Sequence, residues 1–142
     1  MSALRVLLVE DNPDDVDLTQ EALADADVET ELTVAEDGVE ALAKLRPADG
    51  RPGEGNPDLI LLDLNLPRKN GFQVLEEIKA DPDLKRIPVV VLTTSDEIRD
   101  VATAYDGGAN AYVVKPIDLD EFTQAVRRVV EFWAGIAQLP PS

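Results

Sequence analysis

Apolar residues in this chain follow two rhythms. Short, nearly unbroken runs rich in leucine and β-branched residues occur at LRVLLV (4–9), LTVA (32–35), DLILL (58–62), PVVVLT (88–93) and AYVV (111–114). Such runs, four to six residues long, predict strands. Between them the apolar positions are spaced as on helices. Val16, Thr19, Leu23 and Ala26 fall at i, i+3, i+7 and i+10; Ile98, Val101, Ala102 and Tyr105 at i, i+3, i+4 and i+7; Phe122, Val126, Val129 and Trp133 run along one face of a last helix. Two starts are signalled directly. Asn12 precedes Pro13, a cap followed by proline at the first helical position, and Asp118 likewise opens the last helix as a cap.

The predicted order is five repeats of strand and helix. That alternation implies an α/β fold with a parallel sheet and helices on both faces, a flavodoxin-like doubly wound (βα)5 arrangement with strand order 2-1-3-4-5. The continuous apolar runs at 59–62 and 89–92 suit central strands buried on both faces, whereas the polar TELTVAED segment suits an edge. Arg46 to Pro57, rich in glycine, proline and charge, reads as a long flexible excursion before the third strand. No repeat and no domain boundary is visible. The chain therefore reads as one domain over 1–142, with a core from about 4 to 133 and a C-terminal helix extending to about 138.

Composition narrows the chemistry. The 142 residues include no cysteine and no histidine, which removes thiolate sites, imidazole bases and the commonest zinc ligands. Asp plus Glu number 29 against 13 Lys plus Arg, a formal charge of −16. Such a surface repels nucleic acid and anionic lipid, and suits a high-salt cytoplasm where screening removes the self-repulsion. The N-terminus lacks the layout of a signal peptide and its apolar run is too short to span a membrane, so a cytoplasmic location is expected.

In a doubly wound sheet, ligands bind outside the carboxyl ends of the strands. There the first strand delivers Glu10 and Asp11, the third Asp63, the fourth Thr93, Thr94 and Ser95, and the fifth Lys115 before Pro116. Each has an ordinary reading taken alone: an aspartate after a strand is commonly a turn former or cap, Lys-Pro a turn, a terminal threonine a strand residue. Together they gather Glu10, Asp11 and Asp63 in one crevice. Each pair of ionised carboxylates costs roughly 4 kcal/mol at about 4 Å and an effective dielectric near 20. A hard divalent cation with oxygen ligands, Mg²⁺, offsets that repulsion and leaves room for a phosphate. The set then reads as phosphoryl chemistry: Asp63 as the nucleophile forming an aspartyl phosphate, Asp11 and the Asn65 carbonyl as metal ligands, and Lys115 and Thr93 on phosphoryl oxygens.

The segments VLLVEDN (6–12), LILLDLNLPRKNGFQVLEEIK (59–79), IPVVVLTTS (87–95) and GANAYVVKP (108–116) resemble the receiver domain of two-component response regulators, from about Leu4 to Trp133. EDNPDDVDLTQEAL, the long loop before the third strand, LTTS and the FW pair in the last helix are most similar to small single-domain regulators that partner phytochrome-type histidine kinases. The resemblance implies that Asp63 accepts a phosphoryl group from a kinase phosphohistidine. It also implies that Glu10 joins Asp11, Asp63 and the Asn65 carbonyl at Mg²⁺ through water or a hydrogen bond. Thr93 and Tyr112 would act as a switch, the Lys115–Pro116 peptide would be cis, and Pro67, Gly71 and Phe72 would shape the loop and helix after Asp63. Thr94 departs from the small residue usual at its position, and Asn65 and Ser95 flank the path of an attacking water; both bear on phosphate lifetime.

No DNA-binding segment is read after Trp133, so the expected output is protein–protein contact: a homodimer through the face formed by the fourth helix, fifth strand and fifth helix. Val129 is expected in the core; Phe132, Trp133 and Ile136 suit either core or interface. One alternative is a haloacid-dehalogenase-like phosphatase or phosphotransferase. It needs a general acid two residues after the nucleophile, where this chain has Asn65, and a cap segment that does not follow the first strand. A receiver-like binding module that is never phosphorylated is the other, and the complete set of Glu10, Asp11, Asp63, Thr93 and Lys115 argues against it. The chain is thus expected to be a signalling phosphoacceptor with at most weak self-phosphorylation and autodephosphorylation, and not an enzyme.

Overall fold

A computed structural model describes residues 3–45 and 56–141. The elements run β1 (Leu4–Val9), α1 (Pro13–Asp25), β2 (Thr30–Ala35), α2 (Gly38–Leu45), β3 (Leu59–Leu62), α3 (Gly71–Ala80), β4 (Val89–Thr93), α4 (Ile98–Asp106), β5 (Ala111–Val114) and α5 (Leu119–Glu131), followed by a π-helical turn at Phe132–Ile136. All strands are parallel, in the order β2-β1-β3-β4-β5. Most of the excursion read at Arg46 to Pro57 lies outside the described residues; only Asn56 and Pro57 fall within them.

Side chains alternate across the central strands because successive Cβ atoms point to opposite faces. Ile60 and Leu62 of β3 enter one apolar cluster with Val74, Leu75 and Ile78 of α3, while Leu59 and Leu61 enter the other with Phe122, Val126 and Val130 of α5. All four β3 residues are buried, and each contributes roughly 1.5–3 kcal/mol of burial. An all-apolar strand does not specify its own register. The strand end does: the Asp63 N–H donates to the Val9 carbonyl at 3.1 Å, and the Glu10 N–H to the Ala35 carbonyl at 2.9 Å. β2 is an edge strand with alternating exposure, as its polar sequence requires.

The helix starts follow from local chemistry. Asn12 caps α1, its side chain accepting from the Asp14 and Asp15 N–H groups, with Pro13 at the first helical position. Asp118 accepts from the Glu121 N–H, and Asn70 and Gln73 form a reciprocal capping box at α3. The apolar stripe of α4 is mostly turned outward. Ala104 is the buried residue of that helix, Val101 is half-buried, and Ile98, Ala102 and Tyr105 are exposed. Small Ala104 is what α4 places against the core. Val129 of α5 and Trp133 of the π-helical turn pack against the second cluster, whereas Phe132 and Ile136 of that turn are exposed.

Candidate functional site

The carboxyl ends of β1, β3, β4 and β5 converge. Glu10, Asp11 and Asp63 each place a carboxylate oxygen within 4.8 Å of the others. Glu10 and Asp63 are buried, while Asp11 is exposed at the rim. The Thr93 hydroxyl, wholly buried at the end of β4, donates to Asp63 Oδ1 at 2.9 Å. The Asn65 backbone N–H reaches the same oxygen at 3.1 Å and turns the chain back over the carboxylate. The Asn65 side chain is exposed.

Lys115 leaves the edge strand β5 and reaches across the ends of β4 and β3 toward β1. Its Nζ donates to Glu10 Oε1, to Asp15 Oδ2 at 2.7 Å and to Asp63 Oδ2 at 3.1 Å. An ammonium has three N–H donors, so all three are engaged. Burial alone would depress the Lys115 ammonium; its hydrogen bonds to Asp15 and Glu10, and the charge of Asp63, outweigh that and hold it above the ordinary lysine range. Burial pushes Glu10 up to about 7, with Asp63 adding to the rise and Lys115 opposing it.

Asp15 does not emerge from reading strand ends, because it sits in the first turn of α1. Its signal was present in the run DNPDD. An asparagine cap and a proline start place the second aspartate of the pair in the first helical turn, near the strand end from which α1 departs. Glu36 and Asp37 follow the end of edge strand β2, to one side of this cluster. Asp37 has a different task. It caps α2 through the Glu40 N–H at 2.8 Å and accepts from Arg68 Nε at 3.0 Å, tying the loop after β3 to the loop after β2. Arg68 adopts a left-handed φ of 63°, a conformation ordinarily left to glycine or asparagine. Gly71 is required by close approach: a Cβ there would lie 2.3 Å from the Asp63 carbonyl oxygen and 2.5 Å from Leu64 Cα.

Tyr112 is half-buried against the α3 side of the core, and its hydroxyl donates to the Ser95 carbonyl at 2.9 Å. Its backbone N–H, on the free edge of β5, donates to the Tyr105 hydroxyl at 3.1 Å. The loop from β4 into α4 is tightened by Ser95 Oγ donating to Asp100 Oδ2 at 2.6 Å. There is no cis peptide among the described residues, so Lys115–Pro116 is trans, contrary to what the resemblance implied. Trans is the lower-energy isomer even before proline, by about 0.5–1 kcal/mol.

The donor set is oxygen only, with three carboxylates crowded at the mouth, one of which, Asp11 at the rim, faces solvent. That inventory fits a hard divalent cation. Arranged beside a buried lysine and a buried hydroxyl, it can hold a phosphoryl group on Asp63 and neutralise its charge.

Residues 6–127 match the family model described as the response regulator receiver domain. The response regulator Rcp1 of Synechocystis sp. is 44% identical over 135 residues, spanning 95% of this chain and 92% of that protein. Among solved structures, the phosphorylated cyanobacterial phytochrome response regulator RcpA is 48% identical with a TM-score of 0.89, covering 99% of this chain and 100% of that one. The Mn(2+)-bound form of Rcp1 is 43% identical with a TM-score of 0.88, covering 96% and 99%.

Proposed function

Because the chain belongs to the response regulator receiver domain family, we propose that it takes a phosphoryl group on Asp63 from the phosphohistidine of a sensor histidine kinase. A carboxylate oxygen of Asp63 attacks phosphorus, the P–N bond breaks, and the imidazole leaves with the bonding pair and takes up a proton. Asp11, Asp63 and the Asn65 carbonyl would hold Mg²⁺, with Glu10 assisting through water or a hydrogen bond; when bound, the ion supplies charge neutralisation at the phosphoryl oxygens. Lys115 and Thr93 contribute hydrogen bonds to those oxygens, and Tyr112 reports the change to the outer face. The single observation that carries this reading is the meeting of Lys115 Nζ and Thr93 Oγ1 on the two oxygens of one buried carboxylate, Asp63.

Self-phosphorylation from small donors and autodephosphorylation by water are weak side reactions of the same site. The kinase is of the phytochrome type, a reading supported by the likeness to RcpA, itself described as a phytochrome response regulator. The protein acts in the cytoplasm; among the described residues no helix is long and apolar enough to cross a membrane. The haloacid-dehalogenase-like and non-phosphorylated readings are not favoured by the family match.

The output is a homodimer formed through α4, β5 and α5. Support comes from the apolar side chains this side leaves in water: Ile98, Tyr105, Val114, Ile117 and Leu119 are all exposed, Ile117 completely, and Phe132 and Ile136 follow in the turn beyond α5. Incubation with Mg²⁺ and acetyl phosphate tests the acceptor. Intact mass should show one added phosphate on the wild type and none on Asp63→Asn. Sedimentation of the same samples tests the output; a monomer at micromolar concentration with and without the phosphodonor overturns the dimer.

A further inference from the structure

The proposed chemistry assigns work to Glu10, Asp11, Asp63, Thr93 and Lys115. It leaves Asp15 unused, although Asp15 Oδ2 lies 2.7 Å from Lys115 Nζ, nearer than Asp63 Oδ2 at 3.1 Å. Asp15 is also built to stay where it is. Its backbone N–H lies 3.4 Å from the Asn12 cap oxygen, and its carbonyl accepts from the hydroxyl of buried Thr19 at 2.8 Å. The first turn of α1 therefore presents this carboxylate to the lysine from a fixed frame.

A phosphoryl group arriving on Asp63 has to find a free Lys115 donor. All three are taken, and the partners are not equivalent. The Glu10 and Asp63 side chains are 3% and 8% exposed, while that of Asp15 is 21% exposed. A carboxylate left without its cation is costly in the interior and cheap where water can reach it. Asp15 is thus the partner the lysine can leave, and while it holds the lysine it also cancels the charge an anionic donor would meet.

We propose that Asp15 is a positioning residue that competes with the incoming phosphoryl group for Lys115, and so restrains phosphorylation of Asp63. The inference rests on the reading of Asp63 as the phosphoacceptor. Neutralising Asp15 as the amide keeps an acceptor oxygen of the same size near the lysine but removes the competing charge. Asp14, one residue earlier and exposed, has the same charge, and no contact to Lys115 is found for it.

The test is the rate of mass gain with Mg²⁺ and acetyl phosphate for wild type, Asp15→Asn, Asp15→Ser, Asp15→Glu, Asp14→Asn and Asp63→Asn, each with a urea midpoint. Asp15→Asn and Asp15→Ser should gain phosphate about threefold faster than wild type or more, the scale of coupling between groups in contact. Asp15→Glu, which keeps the competing charge, and Asp14→Asn, which lies outside the competition, should both stay within about twofold of wild type. A merely structural Asp15 would lower the urea midpoint and the rate together. Rates for Asp15→Asn and Asp15→Ser equal to or below wild type, failure of Asp15→Glu to return, or the same gain in Asp14→Asn overturns the proposal. No phosphate on wild type, or phosphate on Asp63→Asn, overturns the acceptor reading itself.

Discussion

Thr93 and Asp63 are joined by a buried hydrogen bond between the ends of adjacent strands, the threonine hydroxyl donating to Asp63 Oδ1 at 2.9 Å. It is one of three donors on that carboxylate, with the Asn65 N–H and Lys115 Nζ. Thr93→Val keeps the volume in a wholly buried position and removes the donor. Losing a hydrogen bond to a buried charged acceptor costs about 1–3 kcal/mol. The variant should show that loss in urea unfolding, together with slower phosphate uptake from acetyl phosphate.

Lys115 should matter more to stability than any other charged residue of the site. Its side chain is 6% exposed and its removal strands Glu10 and Asp63, themselves almost closed to water. Breaking a buried ion pair by deleting one partner costs about 3–5 kcal/mol. Lys115→Met should lose that much in chemical denaturation at neutral pH, and should take up phosphate more slowly than wild type.

Asp11 should behave in the opposite sense. It is exposed and stands among the carboxylates that crowd within 4.8 Å. Without metal it adds a third carboxylate to that cluster. Asp11→Asn should raise the melting temperature of the metal-free protein by a few degrees, the effect of about 1 kcal/mol on a domain of this size. It should also abolish most of the heat of Mg²⁺ binding in calorimetric titration.

Gly71 links helix packing to the backbone of Asp63. Gly71→Ala would drive a methyl into the Asp63 carbonyl oxygen and Leu64 Cα, which are backbone and cannot swing aside. Overpacking of this kind costs about 1–3 kcal/mol. Because one of the displaced atoms is the Asp63 carbonyl oxygen, phosphate uptake should fall along with the urea midpoint, whereas Gly135→Ala, with open space around it, should leave both unchanged.

Much of this architecture was legible in the chain. Leu59–Leu62 and Val89–Leu92 are too uniformly apolar for a half-exposed strand, and they proved central; TELTVA alternates, and it lies at the edge. Once the strand order is parallel and doubly wound, Glu10, Asp11, Asp63, Thr93 and Lys115 must come to one rim, and they do. What stayed hidden depends on distances between segments far apart in sequence. Asp15 meets Lys115 across 100 residues, and Asp37 meets Arg68 across 31; local periodicity carries no record of either. The spacing of Ile98, Val101, Ala102 and Tyr105 identified a helix but not its inner face. A stripe with helical period looks the same whether it packs inward or awaits a partner.

Asp37 supplies the pH-dependent prediction. The Glu40 N–H, then the Arg68 guanidinium, hold its carboxyl below the ordinary aspartate value of 3.8. A carboxyl with a depressed folded-state pKa binds fewer protons folded than unfolded across that window, so its contribution to stability rises with pH. The contribution is complete above 3.8 and disappears as the pH falls through the lower folded value. Asp37→Asn should therefore be less stable than wild type at neutral pH. The difference should persist down to mildly acidic solution and close only as the wild-type carboxylate takes up its proton. Urea midpoints of both proteins measured side by side along a descending pH series provide the check. A constant difference down to the lowest pH at which both still fold would show that the cap and the Arg68 contact do not depend on the charge of Asp37.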